Sequence, residues 1–416
     1  MKAQSSRALL AFLALIACQA PAAPHGMGER WSNADLATLE RWLDAAPLDA
    51  LPVISTSSLE QARRSGDPKR IDDEADRLSL RLARMHLLGT ANNSGRASWH
   101  INDTDADLPL ETMLAGSLAH GKLDSFFALL RPAHQEYAAL RFAYQIDDDA
   151  QHRRTIARNM ERWRWMPRSL GEDYVLVNIA QFEASLWREG KVADKWRVII
   201  GKRRTPTPVF ETEIEGVILN PWWEIPASIV RESVGSLVRR NPSLARARGY
   251  VWGGGRYRQR PGPNNALGQM KLVMPNRFSV FMHDTPNKQL FEEDVRSFSH
   301  GCIRTDNAIG YAAALLQDVR TREEIDSIVA SGKTTRIAIT KPLPLYVTYF
   351  TAVIDDSGDI ILLDDLYDRD RRVSVPAPLA NVGVDGADAS RSFLQVSYLQ
   401  PMVAPDRKLS ISDIEC

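Results

Sequence analysis

The stretch FMHDTPNKQLFEEDVRSFSHGCIRTDN, Phe281–Asn307, holds His283, His300 and Cys302 within one short span. The chain has three cysteines, and the other two, Cys18 and Cys416, lie near its ends. RFSVFM before His283 reads as a β-strand that delivers the imidazole at its end, and SHGC reads as a glycine turn. The run DNAIGYAAALLQDV after it reads as a helix with Asp306 as its N-cap. A thiol titrates near ~8.5 when unperturbed, so it needs a base to become a nucleophile at neutral pH. A neighbouring imidazole supplies one. Gly301 lets the backbone approach closely, so that amides around Gly301 and Cys302 can face a developing oxyanion. Arg304 offers a fork for a carboxylate. Together these parts describe a thiol acyl-transfer site. Two other readings stand beside it. Cys302 can be a plain buried cysteine, or it can bind zinc with His283, His300 and Asp284, although that spacing matches no standard zinc motif.

Outward from this stretch, the composition is that of a globular chain. It has 416 residues, 44% hydrophobic and 25% charged, and its 52 basic residues equal its 52 acidic ones. That length accommodates two or more cores. The balanced charge gives no reason to expect nucleic acid as a partner. The N-terminus differs from the rest: Lys2 and Arg7 precede ALLAFLALIA, Ala8–Ala17. This is a signal-peptide pattern, too short to span a bilayer, and export is expected for residues 1–20. LIAC, ending at Cys18, resembles a lipobox, so membrane attachment through lipidated Cys18 is one outcome. Ordinary cleavage within CQAPAAP is the other. In an oxidising space Cys302 and Cys416 could pair.

The expected fold class is α+β. Residues 28–150 read as a helical domain, with an apolar stripe through Leu78, Leu80, Leu82, Met85 and Leu88 and a helix break at Gly121. Residues 151–171 read as a connecting helix whose Trp163 and Trp165 pack on a neighbouring domain. From Asp173 short β-rich runs alternate with glycine and proline, giving a mainly β domain over 172–345. A helical insertion interrupts it at about 228–257. Residues 346–371 form a hairpin turning at Asp356–Gly358, and 372–416 are an unassigned extension. His86, His100, His120, His134 and His152 share no ligand spacing and read as surface or core histidines.

His283, fifteen intervening residues and then SHGCIR resemble the signature of the L,D-transpeptidase catalytic domain, the YkuD type. The likeness extends through NMERWRWMP, VIIGKRRTPTPVF, NPWWEIPASI, RPGPNNALGQMKLVMPN and KPLPLYVTYFTA. These are similar to the large Gram-negative members with an N-terminal scaffold domain. The resemblance implies that Cys302 is the nucleophile and His283 its base, with the carbonyl of Asp284 orienting the imidazole. Ser299, His300, Gly301, Arg304 and Asp284 would line the substrate site. It implies peptidoglycan stem peptides as the partner and needs no metal or cofactor. The implied reaction releases D-alanine from a tetrapeptide stem and joins two diaminopimelates through a Cys302 thioester. Attachment of a protein to the wall, carboxypeptidase action, or a silent wall-binding lipoprotein are the alternatives. The sequence also departs from the pattern. Only fourteen residues separate Tyr144 from Asn159, too few for a peptidoglycan-binding module, so weak independent binding to the wall is expected. Phe281 stands where relatives often carry tyrosine.

Overall fold

The computed structural model describes residues 30–101, 104–355, 357–378 and 396–398. The expected signal segment, Cys18, Asp356, most of the extension and Cys416 lie outside the described residues. The described chain forms two compact units. Among the described residues, one draws on 30–97, 104–170, 350–355, 357–378 and 396–398, the other on 98–101 and 171–349.

The first unit is helical from Asn33 to Arg164. Its entry is set by local chemistry. Ser32 and Asp35 form a capping box on the helix Asn33–Ala45, and Asp67 caps Pro68–Leu88 with proline in the first turn, satisfying amides that have no partner within the helix. The stripe of Pro68–Leu88 runs through Ala75, Leu78, Leu82, Ala83 and Leu87. Leu80, Met85 and Leu88 sit at its margin. These side chains pack with Leu39, Leu43, Leu114, Phe127 and Leu130 into one core. Each buried leucine contributes roughly 1.5–3 kcal/mol. The helices Leu110–Ala119 and Leu123–Leu130 flank Gly121, which has φ +63°.

In the helix Ala150–Arg164, Trp163 stacks on His134 at 4.2 Å and on Phe350 at 4.6 Å. Three charged residues of its last turn, Glu161, Arg162 and Arg164, are also buried. Arg164 pairs with Glu161 at 3.1 Å and Arg162 with Asp370 at 2.7 Å. Glu161 further accepts the amides of Thr90 and Ala91.

The strands, in chain order, are β1 Trp99–His100, β2 Tyr174–Asn178, β3 Glu183–Arg188, β4 Lys191–Gly201 and β5 Val209–Leu219. Then come β6 Trp223–Glu224, β7 Tyr250–Gly253, β8 Arg256–Gln259, β9 Met270–Val273, β10 Met282–His283, β11 Ser297–Ser299 and β12 Ile303–Thr305. The last four are β13 Thr335–Thr348, β14 Ala352–Ile354, β15 Ile360–Leu362 and β16 Val396–Tyr398. The main sheet runs β1-β5-β13-β2-β3-β4-β12-β10-β9, and β9 also pairs with β5. The sheet therefore closes on itself through β5 and β9, with β1 appended to β5 and β11 to β4. β2 is buried at every position, as a strand covered on both faces must be. β14 and β15 form a hairpin in the helical unit. Among the described residues no helix is long and apolar enough to cross a membrane.

RFSVFM is not a strand along its length. Only Met282 and His283 pair. The Asn276 carboxamide accepts from the Phe278 and Val280 amides and donates to the Met274 and Val280 carbonyls. Those four bonds satisfy the backbone locally in a loop, in competition with a ladder.

Candidate active site

The site is assembled by the pairing of two short parallel strands. β10 lies beside β12 with Met282 opposite Ile303 and His283 opposite Arg304. In that register His283 and Arg304 share a face of the sheet. Cys302, two residues before Arg304, lies immediately ahead of β12, and neighbouring strands stand about 4.8 Å apart. Cys302 is a thiol, 9% exposed, and it packs in an apolar cluster with Trp223, Ile225, Ile229, Ala266 and Leu267.

The turn that presents the thiol is held from two sides. Ser299 Oγ accepts the Gly301 amide at 3.0 Å and donates to the Cys302 carbonyl at 2.5 Å. Thr207 Oγ1 donates to the Gly301 carbonyl at 2.9 Å and accepts the Gly201 amide at 2.9 Å. Gly301 has φ +116°, a conformation that side chains with a Cβ avoid. A Cβ on Gly201 would stand 2.1 Å from the Thr205 carbonyl and 3.0 Å from Gly301 Cα. The two glycines let two backbones touch under the thiol. Since the Gly301 amide is committed to Ser299, it does not point at an oxyanion.

His283 is fully buried. Its Nδ1 is hydrogen-bonded to the backbone carbonyl of Asp284, and its Nε2 has no hydrogen-bond partner. A carbonyl only accepts, so Nδ1 carries the hydrogen, and in the neutral ring Nε2 keeps its lone pair. The Asp284 side chain fixes that carbonyl. Its carboxylate accepts the Gln269 amide at 2.9 Å and the Thr285 amide at 2.7 Å, and it pairs with Lys288. Asp284 is thus engaged as a brace, and its side chain is turned to protein partners.

His300 and Arg304 occupy different environments. His300 Nε2 lies 3.1 Å from Glu232, on the inserted helical segment. Arg304 is 1% exposed, a guanidinium enclosed by protein. Phe281 carries the Lys271 ammonium 3.5 Å above its ring centroid, and Lys271 pairs across from His283. Asp306 is not the helix N-cap. Asn307 is, at φ +43° with its side chain on the Gly310 amide, while Asp306 pairs with Arg197 at 2.7 Å. Gly201, Thr207, Glu232 and Lys271 were not visible as site residues in the sequence. Thr207 meets Gly301 across 94 positions, and no short motif spans such a distance. Among the described residues no three His, Cys, Asp or Glu side chains gather as metal ligands.

Residues 172–326 match the family model of the L,D-transpeptidase catalytic domain, YkuD. A curated Haemophilus influenzae protein named for the L,D-transpeptidases is 29% identical over 242 residues. The match covers 53% of this chain and 49% of that protein, so the chain spans about half the length of the curated relative it matches. A solved L,D-transpeptidase from Mycobacterium smegmatis is 15% identical with a TM-score of 0.25, over 42% of this chain and 58% of that one. The ertapenem-acylated catalytic domain of the E. faecium L,D-transpeptidase is 15% identical with a TM-score of 0.24, over 42% and 97%. Over residues 172–326 the chain is thus similar to an L,D-transpeptidase catalytic domain.

Proposed function

We propose that the protein is a peptidoglycan L,D-transpeptidase that works through a thioester on Cys302. The observation that carries this reading is the pairing of β10 with β12. It puts His283 opposite Arg304, two residues beyond Cys302, and leaves the His283 Nε2 without a hydrogen-bond partner, which supports an imidazole acting on the thiol. In the first step Nε2 takes the thiol proton, and sulfur attacks the carbonyl of diaminopimelate in a tetrapeptide stem. The C–N bond to D-alanine breaks, the imidazolium returns its proton to the leaving amine, and a thioester remains. In the second step the side-chain amine of another stem gives a proton to Nε2 and attacks. The C–S bond breaks and sulfur regains the proton. The net change exchanges D-alanine for a diaminopimelate–diaminopimelate bond.

Asp284 keeps the imidazole in the working tautomer. Arg304, buried two residues from the thiol, supplies a fixed positive charge that favours the thiolate. The apolar cluster around Cys302 limits water and so favours an amine over hydrolysis. Peptidoglycan as substrate places the protein outside the cytoplasm, in the periplasm, with the lipobox-like Cys18 as its anchor. The test is incubation of the purified full chain with diaminopimelate-containing tetrapeptide muropeptides, followed by mass analysis. The expected product is a dimer lighter than two monomers by one released alanine. Shortened monomers alone would make water the acceptor, and unchanged monomers with the thiol reduced would sink the proposal.

A further inference from the structure

The charge of this chain is balanced overall but not locally. Residues 224–260 contain eight arginines, two glutamates and no lysine, aspartate or histidine, a net of six positive charges in a chain whose total is zero. Arg231, Arg239, Arg240, Arg246, Arg256 and Arg260 are exposed there. Glu224 answers only Arg256 and Arg258, at 3.3 and 2.7 Å, and Glu232 faces His300.

The same segment exposes a tryptophan. Trp252 is 65% exposed, while the other nine tryptophans are buried or half-buried. It sits near the tip of the β7–β8 hairpin, directly opposite Tyr257, whose ring it meets edge-on at 4.8 Å. Tyr257 packs against the apolar cluster that contains Cys302. The Trp252–Tyr257 face is therefore continuous with the surroundings of the thiol. A large aromatic left in water beside arginines is the composition of a recognition surface, because both residue types gain most when a partner covers them.

We propose that the inserted segment docks a glycan strand of peptidoglycan together with its anionic stem peptides. A sugar ring would lie on Trp252, and the exposed arginines would pair with carboxylates of the stem peptides. This rests on the proposed function for the identity of the polymer. Flat apolar ring faces suit an indole plane, and arginine forks suit carboxylates. On this proposal the segment would grip the wall where the sequence alone led to an expectation of weak independent binding.

The test uses the full chain on isolated peptidoglycan sacculi, on sacculi whose carboxylates have been amidated, and on polyglutamate, which has carboxylates but no sugars. Retention on untreated sacculi is expected, lost on amidation and weakened between about 0.05 and 0.5 M salt. Trp252→Ala and the combined Arg239→Gln, Arg240→Gln, Arg246→Gln variant should each lower retention about tenfold or more. Trp252→Tyr and the matching lysine variant should restore most of it, which separates binding from misfolding. Undiminished retention in Trp252→Ala, or equal retention on polyglutamate, overturns the proposal in favour of simple ion exchange. Acylation of the unsubstituted protein by imipenem is measured alongside. Its absence would count against the proposed function, whereas normal acylation with unchanged sacculus binding in the variants would count against this inference alone.

Discussion

At the scale of single residues the proposed site is a thiol and an imidazole, each held by its neighbours. Cys302→Ala should abolish covalent trapping by a carbapenem such as imipenem, whose strained carbonyl stands in for the scissile one. Cys302→Ser should nearly abolish it, since a hydroxyl is far harder to deprotonate. His283→Ala should slow trapping by ~10²–10⁴-fold, the usual worth of a general base, read by intact mass against time. An adduct that persists in Cys302→Ala would refute the assignment. Ser299→Ala tests the turn separately. It strands the Gly301 amide and the Cys302 carbonyl, a loss of about 1–3 kcal/mol per buried group. Trapping should slow while the thiol remains titratable in the unfolded protein, and an unchanged rate would show the turn to be rigid without Ser299. The sequence displayed His283 and Cys302 because both lie in one short stretch. It did not reveal that Ser299 consumes the Gly301 amide, because a hydroxyl's partners depend on a turn geometry that composition does not encode. Nor did it show that the Asp284 side chain braces Gln269 and Thr285, which are loop contacts fixed only on folding.

At the scale of elements, the turn is clamped between the end of β4 and the start of β12. Gly201 is the contact point. Gly201→Ala would force a methyl into the Thr205 carbonyl and should cost ~2 kcal/mol or more, as strained core substitutions do. Thermal unfolding should fall and Cys302 trapping should fall with it; an unaltered melting temperature would contradict the close approach. The long strands were legible in DYVLVN and TRIAIT, since β-branched runs between turn residues leave little else to form. The paired part of RFSVFM was not, because the side chain of Asn276 decides it rather than periodicity. The burial of Glu161, Arg162 and Arg164 was hidden for a related reason. Charged residues on a helix read as a solvated face until their partners arrive from distant chain, as Asp370 does for Arg162.

At the scale of the whole molecule, acid should act first on the helical unit. Burial pushes the pKa of His86 down to about 3, with Asp49 opposing and Arg164, Arg131 and Arg141 reinforcing it. Burial likewise lowers His134 to about 4. Unfolded, each titrates near ~6.5. Their contribution is whole above that pH and is lost as pH falls from there toward about 3, because the unfolded chain gains protons the fold refuses. His86→Leu should shrink the stability difference between about pH 7 and pH 4.5, measured by urea unfolding. An undiminished difference would move the acid sensitivity elsewhere. The return of residues beyond Tyr349 to the helical unit has a consequence in time. A chain made from its N-terminus completes the closed sheet by Thr348 while Arg162, already synthesised, still awaits Thr351 and Asp370. The unit begun first is thus the one finished last, and a ribosome halting just past β13 would release a whole catalytic sheet attached to helices whose keystone had not yet been translated.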